Sequence, residues 1–411
     1  MSDQQRLVIL GSGFAAFMLL GKIDTAAYAV TVVSPRNHFL FTPLLPSTTV
    51  GTVELRSIIE PIRKARRNVD FIQGEAMEVD LAERVVVCQS PDPETRFSVA
   101  YDTLVVAVGA GNNTFGIPGV EEHAIFLKEL SDARTIRERI ISCLERADVP
   151  GIPLKRRAQL LHFVVVGGGP TGIEFAAELH DLLEEDLVKS YPELVGSIRI
   201  TLFEAMNTIL TTFDQKLRDY TIAHFDRQGI ELRLETPVEE VGEGYLKLKS
   251  GEVVDAEVIV WSTGNVARPF VERLPFAKER GRIVTDEYLR VPSHPGIYAV
   301  GDCATPGGAV LPQTAQAAMQ QGKYLARALN SIANGKQPAA FSFRNLGMLA
   351  YVGGSKALAD IPRADLHWRG ETTYFFWRSA YLTRLVSLKN KVLVLFDWIK
   401  ARLFGRDLSK F

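Results

Sequence analysis

Short apolar runs that end in glycine recur along this chain, each followed by a segment of helical character. The first is RLVILGSGFAAFMLL. Leu7 to Leu10 is a continuous apolar run, as expected of a strand buried on both faces. Gly11, Gly13 and Ala16 follow as G-x-G-x-x-A, ahead of helix-compatible residues. A second apolar run, Tyr28 to Val33, completes strand, glycine turn, helix and strand, the first half of a Rossmann unit. The same order returns in LHFVVVGGGPTGIEFAAELHDLL, where Gly167, Gly169 and Gly172 form a full G-x-G-x-x-G, and IRITLFE supplies the next strand, ending at Glu204. One such loop is a weak signal. Two, each flanked by strand and helix, are a strong one.

Two further strand-like runs, Tyr101 to Asn113 (YDTLVVAVGAGNN) and Ala256 to Asn265 (AEVIVWSTGN), end in glycine turns and read as the strands leaving each dinucleotide domain. GIYAVGDCA, Gly296 to Ala304, then returns to a buried strand. The pattern predicts an α/β fold of two Rossmann-like dinucleotide-binding domains, the second inserted in the first, plus a C-terminal membrane-surface helical region. The expected boundaries are 1–120 and 285–335 for the FAD-binding domain, 158–268 for the NADH-binding domain and 340–411 for the C-terminal region. The charged helix Ser131 to Arg146 is expected to bridge the two domains.

Composition narrows the classes. The 411 residues are 46% apolar and 23% charged with a formal net charge of −1, which argues against disorder and gives no global electrostatic case for nucleic acid. Cys88, Cys143 and Cys303 have no paired spacing, so neither a disulfide scaffold nor a zinc site is expected. Leu7 to Gly21, following Arg6 and preceding Ala27-Tyr28-Ala29, has the outline of a signal peptide. The glycine placement favours a buried strand, turn and helix instead. No apolar run reaches the roughly 18 residues of a membrane-spanning helix.

The first loop is expected to face a pyrophosphate. Gly11 permits the tight turn, Gly13 the close backbone approach and Ala16 the helix packing, with the helix N-terminus supplying N–H groups. Where an acid normally ends the second strand, this chain has Ser34, followed by Pro35 and Arg36. The adenosine contact then falls to the Ser34 hydroxyl or to Arg36. Asp302, after a buried strand, can accept from the ribitol of FAD, or can simply cap the helix that follows. Contacts to FAD are therefore expected at Gly11, Gly13, Phe14, Ala15, Ser34, Arg36, Ala107, Gly109 and Asp302. Contacts to NADH are expected at Gly167, Gly169, Pro170, Thr171, Gly172, Glu204 and Gly264. Glu204 lies 32 residues beyond Gly172, more than the usual ~20, an excess assigned to a long charged helix and the YPELVGS loop. Its carboxylate would accept from the ribose hydroxyls and repel a 2′-phosphate, favouring NADH over NADPH.

Glu174 is read in the first turn of the second helix. A glutamate there can merely complement the dipole. Beside a bound pyrophosphate it is unfavourable unless it points elsewhere, toward the nicotinamide and flavin, and this catalytic reading is preferred. Gln313, Gln316 and Gln320 fall on one helix face. Periodicity alone leaves their amides in solvent, and a carbonyl substrate such as a quinone is the alternative.

GSGFAA, NHFLFTPLLPSTTVGT, VVVGGGPTGIEFAAEL, YAVGDCA and AQAAMQ (residues 315–320) together resemble the type II NADH:quinone oxidoreductases, also called alternative NADH dehydrogenases. The first and third occur in many flavin disulfide reductase relatives. The second and last are far more specific. The resemblance implies two Rossmann-type domains, non-covalent FAD, NADH as substrate, and two-electron reduction of ubiquinone or menaquinone without proton pumping. It makes Gln316 and Gln320 quinone-site residues, Glu174 the glutamate that couples proton and hydride events, and Asp302 an FAD contact. Without a D-x-D-x-D-G loop no calcium or other metal is expected. NHFLFTPLLPS and the tail resemble the mitochondrial and proteobacterial branch, and the N-terminus leaves no room for a transit peptide.

In the tail, Tyr381, Leu385, Leu388, Val392, Phe396, Ile399 and Leu403 recur at helical spacing among Arg384, Lys389, Lys391, Lys400 and Arg402, with Asp397 the lone acid. Trp377 and Trp398 suit a headgroup interface. A basic amphipathic helix of this kind is a membrane-surface element. A homodimer interface or a helix docked on the body is the alternative. The expected location is peripheral, on the cytoplasmic face of an inner or plasma membrane of bacterial type. Two other functions fit the outline. A sulfide:quinone oxidoreductase would need a cysteine pair at the flavin, and a non-catalytic NADH-sensing flavoprotein would need no quinone.

Overall fold

The computed structural model describes residues 4–307, 311–361 and 366–409. The chain forms two compact units. The first comprises Met1–Leu40, Ile59–Gly111 and Asn265–Asn345, and the second Phe41–Ile58, Asn112–Gly264 and Leu346–Phe411.

Each unit is built on a five-stranded sheet that is parallel throughout. In the first unit the spatial order is Ile297–Ala299, Thr103–Val106, Gln5–Leu10, Tyr28–Ser34, Val69–Gln73. In the second it is Ile125–Phe126, Val258–Trp261, His162–Val166, Arg199–Phe203, Glu231–Arg233. The two orders are the same walk: edge strand, leaving strand, glycine-loop strand, second strand, third strand. Both faces of these strands are covered, which is why Leu7–Leu10 and Phe163–Val166 read as unbroken apolar runs. Each unit also carries a three-stranded antiparallel meander between its third and leaving strands: Glu75–Asp80, Val85–Gln89 and Arg96–Ala100 in the first, Val238–Gly242, Tyr245–Leu248 and Val253–Asp255 in the second. The duplication seen in the glycine loops therefore extends through the whole unit, and the α/β class expected from the pattern holds. The suspected leader is the strand Gln5–Leu10, a glycine turn and the helix Phe14–Leu20.

Phe41–Ile58 belongs to the second unit, so the insertion is in several pieces. The expected bridging helix, Leu130–Ala147, also belongs there. It buries Ile136, Ile140 and Leu144, and Arg137 donates to the Asp407 carbonyl oxygen at 2.8 Å. From Leu346 onward the tail clusters with the second unit. It is not purely helical. An antiparallel sheet of Met348–Gly353, Lys356–Ile361 and Leu366–Gly370 precedes two helices, Glu371–Arg384 and Leu388–Phe404. The single helix expected from the apolar stripe breaks after Arg384, and Ser387 caps the second by accepting from the Asn390 N–H. Among the described residues no helix is long and apolar enough to cross a membrane.

Candidate active site

The two glycine loops share one geometry. Gly11 has φ +111° and Gly167 φ +113°. A Cβ on Gly11 would lie 2.3 Å from the Ala107 carbonyl oxygen, and one on Gly167 2.6 Å from that of Ser262. In each unit the carbonyl at the end of the leaving strand closes on the first glycine, and only glycine tolerates both that approach and that φ. Gly13 and Gly169 are the helix N-caps. Around each, a Cβ would meet nothing within 4 Å, and neither helix start has a side-chain cap or an acid in its first turn. Each helix thus starts at a glycine with open space beside it and no acid in its first turn, a cradle that fits an anionic pyrophosphate. Gly109 and Gly264 border equally open space. In the second loop Gly172 is held by closeness: a Cβ there would lie 2.1 Å from the Gly167 carbonyl oxygen.

The loops differ at the end of the second strand. Ser34 is buried and donates to Ser12 Oγ at 3.0 Å, while its own oxygen accepts from the Arg36 N–H at 3.3 Å. Its hydroxyl is thus part of the turn. Arg36 lies half-buried, with Nε donating to the His38 carbonyl oxygen at 3.0 Å. Glu204 in the second unit is different. Its carboxylate accepts from the Gly168 N–H at 2.7 Å and from the Met206 N–H at 2.8 Å, which fixes it over the glycine loop. The excess spacing before it is filled by the helix Pro170–Leu182, a π-turn at Leu183–Leu187 and the short helices Val188–Ser190 and Pro192–Val195.

Asp302 sits in a 3-10 turn, Gly301–Cys303, and does not cap the following helix. That helix starts at Ala315, and Thr314 caps it by accepting from the Ala317 N–H. Gln313 precedes the cap, so it does not share the helical face with Gln316 and Gln320. Its Nε2 donates instead to the Asp302 carbonyl oxygen at 3.0 Å. Gln321, which the sequence did not single out, is buried and accepts from the Gly301 N–H at 2.6 Å. The Asp302 turn is therefore held from two sides. Gln320 grips the backbone of Arg344, donating to its carbonyl oxygen at 2.8 Å and accepting from its N–H at 2.9 Å. Gln316 reaches Asn345 Oδ1 at 3.5 Å. Gly322 packs this helix onto Phe14–Leu20, since a Cβ there would lie 2.1 Å from the Ala15 carbonyl oxygen.

Glu174 is the fifth residue of its helix, past the first turn, so dipole complementation does not explain it. It is buried, and its Oε1 accepts from the Tyr351 N–H at 3.1 Å. The carboxyl points at the tail rather than at the glycine loop. The indole of Trp377 also faces it, short of a hydrogen bond of normal geometry. Burial, with Glu178 nearby, pushes Glu174 up to about 8, against its ordinary 4.5. Glu178, one helical turn on, is buried too. It accepts from Ser47 Oγ at 2.5 Å and Thr52 Oγ1 at 2.7 Å. Burial raises it, and the Arg406 guanidinium opposes that rise. Arg406 in turn donates to Thr52 Oγ1 at 2.9 Å and to Asp186 and Glu185 at 2.7 and 2.8 Å. Asp181 accepts from the Tyr351 hydroxyl and, at 2.8 Å, from the Gly354 N–H. None of Glu178, Asp181, Tyr351 or Arg406 was singled out in the sequence. The readable signal was the pair Glu174 and Glu178 at a spacing of four, and the hydroxyl-rich stretch from Ser47 to Thr52.

The tail helix Leu388–Phe404 is mounted with polar groups inward. Asn390 Nδ2 donates to the Ser57 carbonyl oxygen at 2.8 Å. Asp397 accepts from Ser57 Oγ at 2.5 Å and from the Glu54 N–H at 3.0 Å. Lys400 pairs with Glu54 at 2.6 Å, which takes it out of the expected free basic set. Leu388, Val392, Phe396, Ile399 and Leu403 are each 50% exposed or more. Tyr381 and Leu385, by contrast, are buried, as are Trp377 and Trp398, the aromatics expected at a headgroup interface. Exposed aromatics in the tail include Trp368, Phe375, Phe376 and Phe404.

The family model for pyridine nucleotide-disulphide oxidoreductases matches residues 5–322, and that for the NDH2 C-terminal domain matches residues 345–407. A probable NADH dehydrogenase of Dictyostelium discoideum is 43% identical, covering 100% of this chain and 92% of its own. The external NADH-ubiquinone oxidoreductase 2, mitochondrial, of Saccharomyces cerevisiae is 40% identical, covering 99% and 82%. Among solved structures, NDH2 from Plasmodium falciparum in complex with NADH superposes with a TM-score of 0.95 at 27% identity, covering 99% of this chain and 100% of that one. These relatives are eukaryotic, and the yeast enzyme is mitochondrial by name.

Proposed function

We propose, from the premise that the chain belongs to the type II NADH:quinone oxidoreductases within the pyridine nucleotide-disulphide oxidoreductase family, that its first glycine loop holds FAD non-covalently and its second receives NADH. The chain oxidises NADH and reduces a quinone. FAD, when bound, supplies the hydride acceptance and the two-electron transfer to quinone. The reading rests on one observation. The two loops repeat the same glycine geometry and the same glycine N-cap, but only the second carries a strand-end carboxylate.

In the first unit Gly11, Gly13, Phe14 and Ala15 form the pyrophosphate cradle, with Ala107 and Gly109 closing the leaving strand beside it. Asp302 accepts from the ribitol and Arg36 lies against the adenine. In the second unit Gly167, Gly169, Pro170, Thr171 and Gly172 receive the NADH pyrophosphate, Gly264 leaves space for the nicotinamide half, and Glu204 accepts from the ribose. Glu174 holds a proton near neutral pH and releases it during turnover. Gln316 and Gln320 border the quinone site.

The chain lies on a membrane surface through the exposed apolar face of Leu388–Phe404. Asn390 and Asp397 fasten this helix to the body beside the buried Val394 and Trp398, while large apolar side chains face outward where an ordinary surface helix is polar. A homodimer formed through that face is the competing use of it.

The cysteines argue against sulfide chemistry. All three are free and buried, and burial raises Cys88 and Cys303 to about 11 and Cys143 to about 12, so none is a ready thiolate. The test is NADH oxidation by FAD-replete protein in detergent. Oxidation that depends on added ubiquinone analogue supports the reading. NADH binding without quinone-dependent oxidation would favour an NADH-sensing flavoprotein.

A further inference from the structure

Reducing a quinone with NADH consumes one proton beyond the hydride: NADH + H⁺ + Q gives NAD⁺ + QH₂. Within the second unit a cavity of about 240 Å³ runs between the tail helices and the helix of Glu174 and Glu178. Its mouth is marked by the exposed Ser355, Glu371 and Arg402, and its floor by the buried Glu178, Tyr351 and Trp377. It is roomy enough for several waters, with the polar groups of Thr52, Glu178 and Arg406 in its otherwise partly aromatic lining. We propose that this cavity is the inlet for the solvent proton, and that the Glu178 carboxyl relays it to Glu174. The inference rests on the reading of Glu174 given above.

Three observations carry it. The first is position. Glu178 lies four residues after Glu174 on the same helical face, where side chains are neighbours. The second is that the floor of the cavity is the wall around Glu174. Tyr351 lines the cavity and donates its backbone N–H to Glu174, and Trp377 lines it with its indole against the same carboxyl. The third is a hydrogen-bond chain leading inward. Arg406 Nε donates to Thr52 Oγ1 at 2.9 Å, and Thr52 Oγ1 donates to Glu178 Oε2 at 2.7 Å, with both donors lining the cavity.

The surroundings suit a relay rather than a fixed ion pair. Arg406 and the hydroxyls of Ser47 and Thr52 favour the charged form of Glu178. Burial and Asp181 oppose it. Tyr351 and Tyr374 face it as neutral phenols, each held well above neutral pH by burial. Two buried carboxyls one helical turn apart resist ionising together, which suits a pair that passes a proton along. In the step itself a cavity hydronium gives its proton to a Glu178 oxygen. That O–H bond then breaks as a new one forms on the Glu174 carboxylate, and no electrons move.

The test compares the holoenzyme with Glu178→Gln, Glu178→Asp and Glu174→Gln. In Glu178→Gln, flavin reduction by NADH should keep its wild-type rate. Quinone turnover should fall at least about tenfold, with a larger solvent deuterium isotope effect and a displaced pH profile. Glu178→Asp should recover part of the loss. Independently of turnover, infrared spectra of the protein near neutral pH should show a protonated-carboxyl carbonyl band that Glu178→Gln shifts or removes. Unchanged turnover, isotope effect and pH profile in folded Glu178→Gln would overturn the relay. So would a loss of turnover without change in isotope effect or pH profile, and without recovery in Glu178→Asp. If Glu178→Gln does not fold, Glu178→Asp and the wild-type infrared titration decide by the same criteria. If Glu174→Gln leaves quinone turnover unchanged, the reading of Glu174 fails. If Glu174→Gln slows it and Glu178→Gln does not, the relay alone fails.

Discussion

The backbone N–H of Tyr351, in the first strand of the tail, donates to the carboxyl of Glu174 at 3.1 Å, 177 positions away in the chain. The tail is therefore part of the wall that keeps this glutamate out of water. Burial raises it from its ordinary 4.5 to about 8. Between those values the folded protein keeps a proton that the unfolded chain has released. The group's contribution to stability is full below about pH 4.5 and is lost as pH rises through about 8. The loss is roughly 1.4 kcal/mol per pH unit in that window. Urea denaturation midpoints at acidic and alkaline pH should differ in the wild type, and Glu174→Gln should flatten the difference. A parallel decline in both proteins would remove Glu174 as its source.

The two loops should fail separately. An alanine at Gly11 or Gly167 would collide with a carbonyl oxygen at 2.3 or 2.6 Å and take a φ that costs a non-glycine residue about 1–3 kcal/mol. Gly11→Ala should purify with little flavin absorbance. Gly167→Ala should keep its flavin and lose reduction by NADH at low concentration. Flavin content per chain and the NADH dependence of bleaching distinguish them.

Glu204 should set the nicotinamide preference. Fixed by the Gly168 and Met206 N–H groups, its carboxylate would repel a 2′-phosphate and accept from a 2′-hydroxyl. Glu204→Gln should lower kcat/KM for NADH and raise it for NADPH. The ratio should move about 10–100-fold, the scale of one charge-assisted hydrogen bond. An unchanged ratio would put the ribose elsewhere.

The outward apolar face should bind lipid without supporting the fold. Val392, Phe396 and Ile399 are exposed, so the triple serine variant should melt with the wild type and keep NADH oxidation with a water-soluble quinone. Each side chain that inserts contributes up to about 1.5–3 kcal/mol, so co-sedimentation with vesicles should be abolished. Retained vesicle binding together with a loss of dimer would assign the face to self-association.

The parallel sheets and both loops were legible because a buried parallel strand followed by glycine is a local pattern. The meanders were not read, since their alternation is short and half-buried. The Glu174 environment was hidden for a different reason. Ser47, Thr52, Tyr351 and Arg406 come from three distant segments, and only folding brings them to one helix. The tail misled in detail: the apolar stripe was real, but its first members, Tyr381 and Leu385, and both predicted tryptophans pack inward. Sequence periodicity does not say which face of a helix a polar anchor such as Asp397 will claim.

Anaerobic stopped-flow tests the central claim, one flavin served by NADH and drained by quinone. NADH mixed with the oxidised holoenzyme should bleach the flavin in a phase whose rate saturates with NADH. Addition of a ubiquinone analogue in a second mix should restore the oxidised spectrum with one quinol formed per flavin. Bleaching that quinone does not reverse would contradict the account.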